Sequence, residues 1–231
     1  MACYLDNDAF VKLVSCGVLE RALDAIGSNL NEVHILPTFF YRFLTARRPR
    51  TVTLFGEDVV TELSRLSDRF RRVAYELTDE EFRLPKGAEP YTIDPGEAIL
   101  FFAAKHDPLA RVVTADKRCI SALSIHPQFR YIAESLQGRV ICLEQIFLYM
   151  IERGDFDHLK SGVCNHIARI RHKKVQDEQS LRSAFGMEHE SRMESVVDCF
   201  KSTLLNFSPY DYDVLDLASD LPEWADQREQ T

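Results

Sequence analysis

No stretch of the 231-residue chain approaches the roughly 18 consecutive apolar residues that a bilayer-crossing helix needs. The amino terminus, MACYLDNDAF, carries acids where a secretory leader carries positive charge. Both absences predict a cytoplasmic protein with no membrane partner. Paired cysteines are missing too. Cys3, Cys16, Cys119, Cys142, Cys164 and Cys199 are scattered, without a CxxC pair or a zinc-finger spacing. That pattern predicts reduced thiols serving as small apolar side chains, and argues against a disulfide framework or a zinc site. There are no internal repeats, and no low-complexity tract apart from an acidic tail.

An excess of positive charge is also lacking. The net charge is −8, which at first speaks against a polyanionic partner. Its distribution softens the objection. From Tyr210 onward seven acids face one base, Arg228, so this tail carries a net −6 and the rest of the chain only −2. Basic residues gather at Arg42/Arg47/Arg48/Arg50, at Arg65/Arg69/Arg71/Arg72 and at Arg169/Arg171/Lys173/Lys174. A local basic surface can track a phosphate backbone on an acidic protein. Solvated helix faces account equally well for any one cluster.

What the chain does have is alternation of short apolar runs with helical periodicity. CYLD (3–6), VHIL (33–36), RVVTAD (111–116) and RVICL (139–143) read as short buried strands. Between them, helical spacing covers 9–26, with a break at Gly17, then 38–46, 57–77 and the segment opened by IDPGEAILFFAAK. The last has clear start signals: Asp94 as N-cap, Pro95 first in the helix, Glu97 third. Residues 78–93 read as a polar excursion, and a closing helix begins at Glu144. Past Gly154 no strand pattern appears; 156–171 and 190–206 read as amphipathic helices. The predicted fold is α/β, a three-layer α/β/α domain with a mostly parallel sheet over residues 1–152. A helical extension (153–208) and a partly disordered acidic tail (209–231) follow.

In parallel α/β sheets, ligands bind beyond the carboxyl ends of the strands. Two strands here run into an acid at that end, Asp6 and Asp116, and Glu97 opens the helix preceding the Asp116 strand. Two carboxylates 4 Å apart repel by about 1 kcal/mol in water and about 4 kcal/mol at an effective dielectric of 20. Three converging carboxylates would therefore hold protons or bind a hard divalent cation, and an all-oxygen set favours Mg²⁺ or Mn²⁺ over zinc. A cation so held can activate water and offset charge on a phosphodiester.

Taken in order, YLDNDAFVKL, IDPGEAILFFAA, VVTADKR and GRVICLEQI resemble the PIN-domain (VapC-like) nuclease family over about residues 3–150. The resemblance implies a metal-dependent nuclease, an endoribonuclease before a DNA-cleaving one, using Mg²⁺ or Mn²⁺. Asp6, Glu97 and Asp116 would be its catalytic and metal-binding acids, with Asp8 as a further metal ligand. Thr114, Lys117 and Arg118 would lie beside the substrate. Many members are toxins of toxin–antitoxin pairs, so an antitoxin or other protein partner, contacted through the carboxy-terminal extension, and a homodimer are family-level expectations. A role as a defence-system effector belongs to the same class. One departure matters: where the family offers a further glutamate, after the second strand, this chain has Tyr41, Arg42 and Phe43. Glu57 and Asp58 are the nearest acids in sequence.

Other readings stay open. Asp94-x-x-Glu97 is also a capping pattern, and Asp116 also stands where it would cap a helix starting at Lys117. His34 reads as a core residue, Trp224 as a modest docking signal, and Phe39, Phe40, Tyr41 and Phe43 mostly as packing, with base stacking the minor alternative. A catalytically silent PIN-like module that binds nucleic acid or protein competes with the nuclease. A haloacid-dehalogenase-like phosphatase competes through Asp6-Asn7-Asp8, which would supply a nucleophile and a general acid.

Overall fold

The computed structural model describes residues 1–83, 93–170, 179–186 and 192–205. Five strands form one sheet: β1 (Cys3–Leu5), β2 (Val33–Ile35), β3 (Arg71–Arg72), β4 (Arg111–Thr114) and β5 (Val140–Cys142). All pair in parallel, in the order β3-β2-β1-β4-β5. In register, Leu5 stands opposite Ile35 on one side and Val113 on the other. β1 and β5 are buried throughout, which explains why they read as unbroken apolar runs and not as an alternation. The architecture is α/β and compatible with three layers.

β1 feeds α1 (Asn7–Ser15), and α2 (Leu19–Ala25) follows. Gly17, at φ +67°, separates the two helices in the left-handed conformation that glycine reaches without steric cost. Beyond β2 a π-helical turn (Phe40–Thr45) leads into α3 (Arg48–Phe55) and α4 (Glu57–Ser67). Phe10 of α1 is fully buried, its ring 4.8 Å from Phe39 and 5.2 Å from Phe70. Burial of one such side chain contributes up to about 3 kcal/mol, so this aromatic trio ties β2's exit and the segment between α4 and β3 to the first helix.

A short helix, α5 (Asp79–Arg83), precedes α6 (Pro95–Lys105), whose capping box is present: Glu97 N donates to Asp94 Oδ1 (2.8 Å) and Asp94 N donates to Glu97 Oε2 (2.9 Å). α7 (Lys117–Ile125) and α8 (Arg130–Ser135) join β4 to β5, and α9 (Leu143–Glu152) follows β5. α10 (Phe156–Ile170), α11 (Gln179–Phe185) and α12 (Met193–Leu205) complete the described chain. Leu159, Val163, Ile167, Phe185 and Phe200 belong to the same apolar cluster as the residues under the sheet.

α10 is fastened closely. A Cβ on Gly162 would lie 2.0 Å from the carbonyl oxygen of Cys16, so only glycine permits this approach of α10 to the end of α1. His166 Nδ1 meets Ser15 Oγ at 2.8 Å, and Arg169 donates to the Phe55 carbonyl (2.9 Å) and pairs with Asp58.

Three expectations need correction. The helix expected over 57–77 ends at Ser67, and Arg71–Arg72 form the edge strand β3. Two exposed arginines carry no apolar signature, yet His34–Arg71 and Ile35–Arg72 pairing satisfies the backbone and Val73 is buried just after. The polar excursion at 78–93 contains α5; residues 84–92 lie outside the described chain. The aromatic group after β2 divides. Phe39 is fully buried and Phe43 partly so, whereas Phe40 (45% exposed) and Tyr41 (69%) are on the surface. His34 is half-buried and stacks on Tyr4 at 4.8 Å. All six cysteines are free thiols, four of them buried. No described helix is long and apolar enough to cross a membrane. Trp224 and the acidic tail fall outside the described residues.

Candidate functional site

The order β3-β2-β1-β4-β5 places the reversal of the winding between β1 and β4. The chain leaves β1 toward β2 and β3, then returns to the opposite side of β1 for β4. In open parallel sheets the crevice above the carboxyl ends at such a reversal is where ligands bind. Asp6 directly follows β1, and its N–H donates to the Val113 carbonyl (2.9 Å), carrying the β1–β4 ladder one residue into the crevice. Asp116 follows β4 from the other side as N-cap of α7.

Asp6 is 9% exposed and its carboxylate makes no capping hydrogen bond to α1. Burial pushes its pKa up to about 7, Asp8 and Asp94 add to that, and the Asn7 and Ala9 amides only partly offset it. Glu97 is 7% exposed. Burial raises it to about 9, with Asp94, Asp116 and Asp6 contributing, against the stabilising Asp94 amide. Glu97 therefore stands in the electrostatic field of both other acids singled out in the sequence. Cys119, fully buried beneath them, shows the same field: burial, Glu97, Asp116 and Asp6 together hold its thiol well above the usual range.

Asp116 behaves oppositely. Burial would raise it, but Arg118 overrides this through two side-chain hydrogen bonds (2.7 and 3.1 Å) and its backbone N–H (2.8 Å). With Lys12 also acting, Asp116 is held below the ordinary carboxylate range. Thr114 is buried and its Oγ1 accepts from Asp116 N (3.0 Å), shaping the turn that presents the acid.

The structure thus brings Asp6, Glu97 and Asp116 to one end of the sheet, with Asp8 exposed on the first turn of α1. It also gives Glu97 and Asp116 the internal partners that the capping readings anticipated. Glu97 is turned back onto the Asp94 amide, and Asp116 caps α7 and grips Arg118. Lys117, read as a phosphate contact, forms an ion pair with Glu144 at the start of α9. Among the described residues no group of three or more His, Cys, Asp or Glu is arranged to hold a metal ion.

Neither nearby substitute for the missing glutamate joins the cluster. Glu57 pairs with Arg48, and Asp58 with Arg169. Neither figures among the charges acting on Asp6, Glu97 or Asp116.

Three participants escaped the sequence reading. Asp94 acts on both Asp6 and Glu97 and is the further acid of the crevice; its capping role concealed it. Asn7, next to Asp6, is 3% exposed and its Oδ1 has no hydrogen-bond partner; nothing in LDND distinguishes it. Glu144 lies at the end of β5, 3% exposed. Burial would raise its pKa, but Lys117, with help from Ser180 of α11, holds it low. The strand-end rule that selected Asp6 and Asp116 could have found it. Compared with protein-family models, with curated proteins and with solved structures, the chain matches none.

Proposed function

We propose that this chain is a metal-dependent nuclease of PIN-like, three-layer architecture, acting on unpaired nucleic acid, RNA before DNA. The observation that carries the reading is the position of the acids: Asp6 and Asp116 flank the winding reversal of a parallel sheet, and Glu97 lies within the field of both.

The donor chemistry fits a hard cation. Asp6 and Glu97 are buried, crowded by other carboxylates and raised in proton affinity, and a buried amide oxygen beside Asp6 lacks a partner. Such a group is relieved either by protons or by a divalent ion. Asp6, Glu97 and Asp116, with Asp8 at the margin, would hold Mg²⁺ or Mn²⁺. Asp116 would have to exchange Arg118 for the ion, and Glu97 its amide partner. A bound ion supplies water activation and charge neutralisation at a phosphodiester. The chain's own residues supply the rest. Thr114 fixes the Asp116 turn, Lys117 is held by Glu144, and Arg118, once released, leaves a guanidinium at the mouth of the crevice for a phosphate oxygen.

A binding module without catalysis is the second reading, favoured by the Asp116–Arg118 chelate and by Tyr41, Arg42 and Phe43 standing where an acid was sought. Purified protein incubated with unpaired RNA and DNA, with Mn²⁺ or with EDTA, separates the two. The nuclease cleaves only with the metal, and Asp6→Asn or Asp116→Asn reduces the rate at least about 100-fold. Binding without cleavage under any divalent metal would leave the module.

A further inference from the structure

Between Val33 and Gly56 the chain contains no acidic residue, although the whole protein carries −8. This segment leaves the carboxyl end of β2, next to the strand that carries Asp6. Its first helical element is a π-helical turn, Phe40–Thr45, a rare geometry that concentrates at functional positions. The turn is anchored from below: Phe39 is fully buried, stacks on Phe43 (5.1 Å) and packs against Phe10. Above that anchor, Phe40 and Tyr41 are 45% and 69% exposed, adjacent large aromatics on the outside of a fixed scaffold.

Cations continue the surface. Every residue from Thr45 to Arg50 is exposed. Arg48 pairs with Glu57, but Arg47 and Arg50 form no ion pair with a described residue. Arg42 lies over the Phe43 ring at 5.3 Å. Two exposed aromatic rings followed by two arginines with no carboxylate partner among the described residues suit an unpaired polynucleotide. Bases stack on the rings, and phosphates meet the guanidinium groups. A protein ligand would be drawn to exposed rings as well, but the acid-free run of arginines selects a polyanion.

We propose that Phe40 and Tyr41 form a stacking platform for unpaired bases, with Arg47 and Arg50 holding the adjoining backbone, and that it leads a single strand toward the Asp6 crevice. The last clause rests on the nuclease reading; the platform itself does not.

The test measures binding without cleavage. A fluorescein-labelled 12-nucleotide unpaired RNA, its DNA counterpart and the same RNA as a blunt duplex are titrated with full-length protein in EDTA, following anisotropy. Wild type binds the unpaired strands in preference to the duplex. Tyr41→Ala weakens this about 5- to 100-fold, and Phe40→Ala by a similar factor. Arg47→Ala with Arg50→Ala lowers the slope of log affinity against log salt by about 1.4. Leu109→Ala and Arg130→Ala, exposed elsewhere, bind as wild type, and thermal melts verify that every variant is folded. Tyr41→Ala and Phe40→Ala both within twofold of wild type, preference for the duplex, or no binding by wild type would each overturn the proposal. Tyr41-dependent binding in a protein that cleaves nothing with Mn²⁺ would uphold the platform and remove the nuclease reading instead.

Discussion

The two ends of α1 are built on opposite terms. At its carboxyl end, Ser15 is bonded to His166, the Cys16 carbonyl sits against Gly162, and surrounding aliphatic side chains are fully buried. At its amino end, Asp6 is buried with only partial relief from the Asn7 and Ala9 amides, Asn7 holds an unpartnered oxygen, and the acids Asp8, Asp94, Glu97 and Asp116 gather nearby. One helix thus spans a close-packed joint and an electrostatically unsatisfied crevice. Local frustration of this kind persists only where the surroundings are stable enough to impose it, and it concentrates at functional positions. The joint supplies the rigidity that the crevice consumes.

The largest expected effect comes from breaking the joint. Gly162→Ala places a Cβ on a backbone carbonyl that cannot move aside, and overpacking of this severity costs about 3 kcal/mol or more. The melting temperature should fall by roughly 6–12 °C, read by circular dichroism; a shift under 2 °C would show that α10 is only loosely docked.

Asp6→Asn should act the other way on stability. At pH 8 it removes a buried charge whose pKa is raised to about 7, so the metal-free protein gains about 1–3 kcal/mol while the proposed cleavage should be lost. Stability and activity moving together would contradict an opposition between the two ends.

The pH profile sharpens the same contrast. Asp6 rises from 3.8 to about 7 and Glu97 from 4.5 to about 9 on folding. Between those values the folded chain keeps protons that the unfolded chain has released, so unfolding becomes easier as pH rises. In EDTA the melting temperature should decline from about pH 4 to pH 9, and Glu97→Gln should flatten the upper part of that decline. Mn²⁺ at pH 8 should restore what is lost, through binding to the folded form alone. A flat profile in EDTA would mean that the acids are well solvated in solution.

The smallest effect is expected at the rim. Arg118→Ala breaks an ion pair whose partners are 73% and 28% exposed, so the stability loss should stay below about 1 kcal/mol. Freed from its chelate, Asp116 should bind Mn²⁺ a few-fold more tightly by calorimetry. Weaker binding would instead make Arg118 a support for the metal-bound arrangement.

Much of this was legible in the sequence, for physical reasons. β1, β4 and β5 are buried on both faces and show up as short apolar runs, and α6 announces itself through Asp94, Pro95 and Glu97, whose capping box forms as spaced. Strand ends followed by acids located Asp6 and Asp116. What escaped depends on contacts distant in sequence or on backbone pairing without apolar content. β3 is two exposed arginines held only by hydrogen bonds. Phe40 and Tyr41 look like core, yet at the start of the π-helical turn they lie on the surface. Asp94 hides a second role behind a local one, and the need for glycine at 162 is visible only once Cys16, nearly 150 residues earlier, lies against it.

The π-helical turn has one more consequence. A π turn closes its hydrogen bonds one residue later than an α turn, so deleting a single residue between Phe40 and Thr45 would let the segment settle into ordinary α geometry. An α turn rotates further per residue than the wider π turn, so the shorter segment would still bring whatever follows to nearly the same azimuth. The extra residue is thus absorbed as a local widening of the turn: a one-codon deletion would remove one side chain and leave the direction of the helix that follows largely in place.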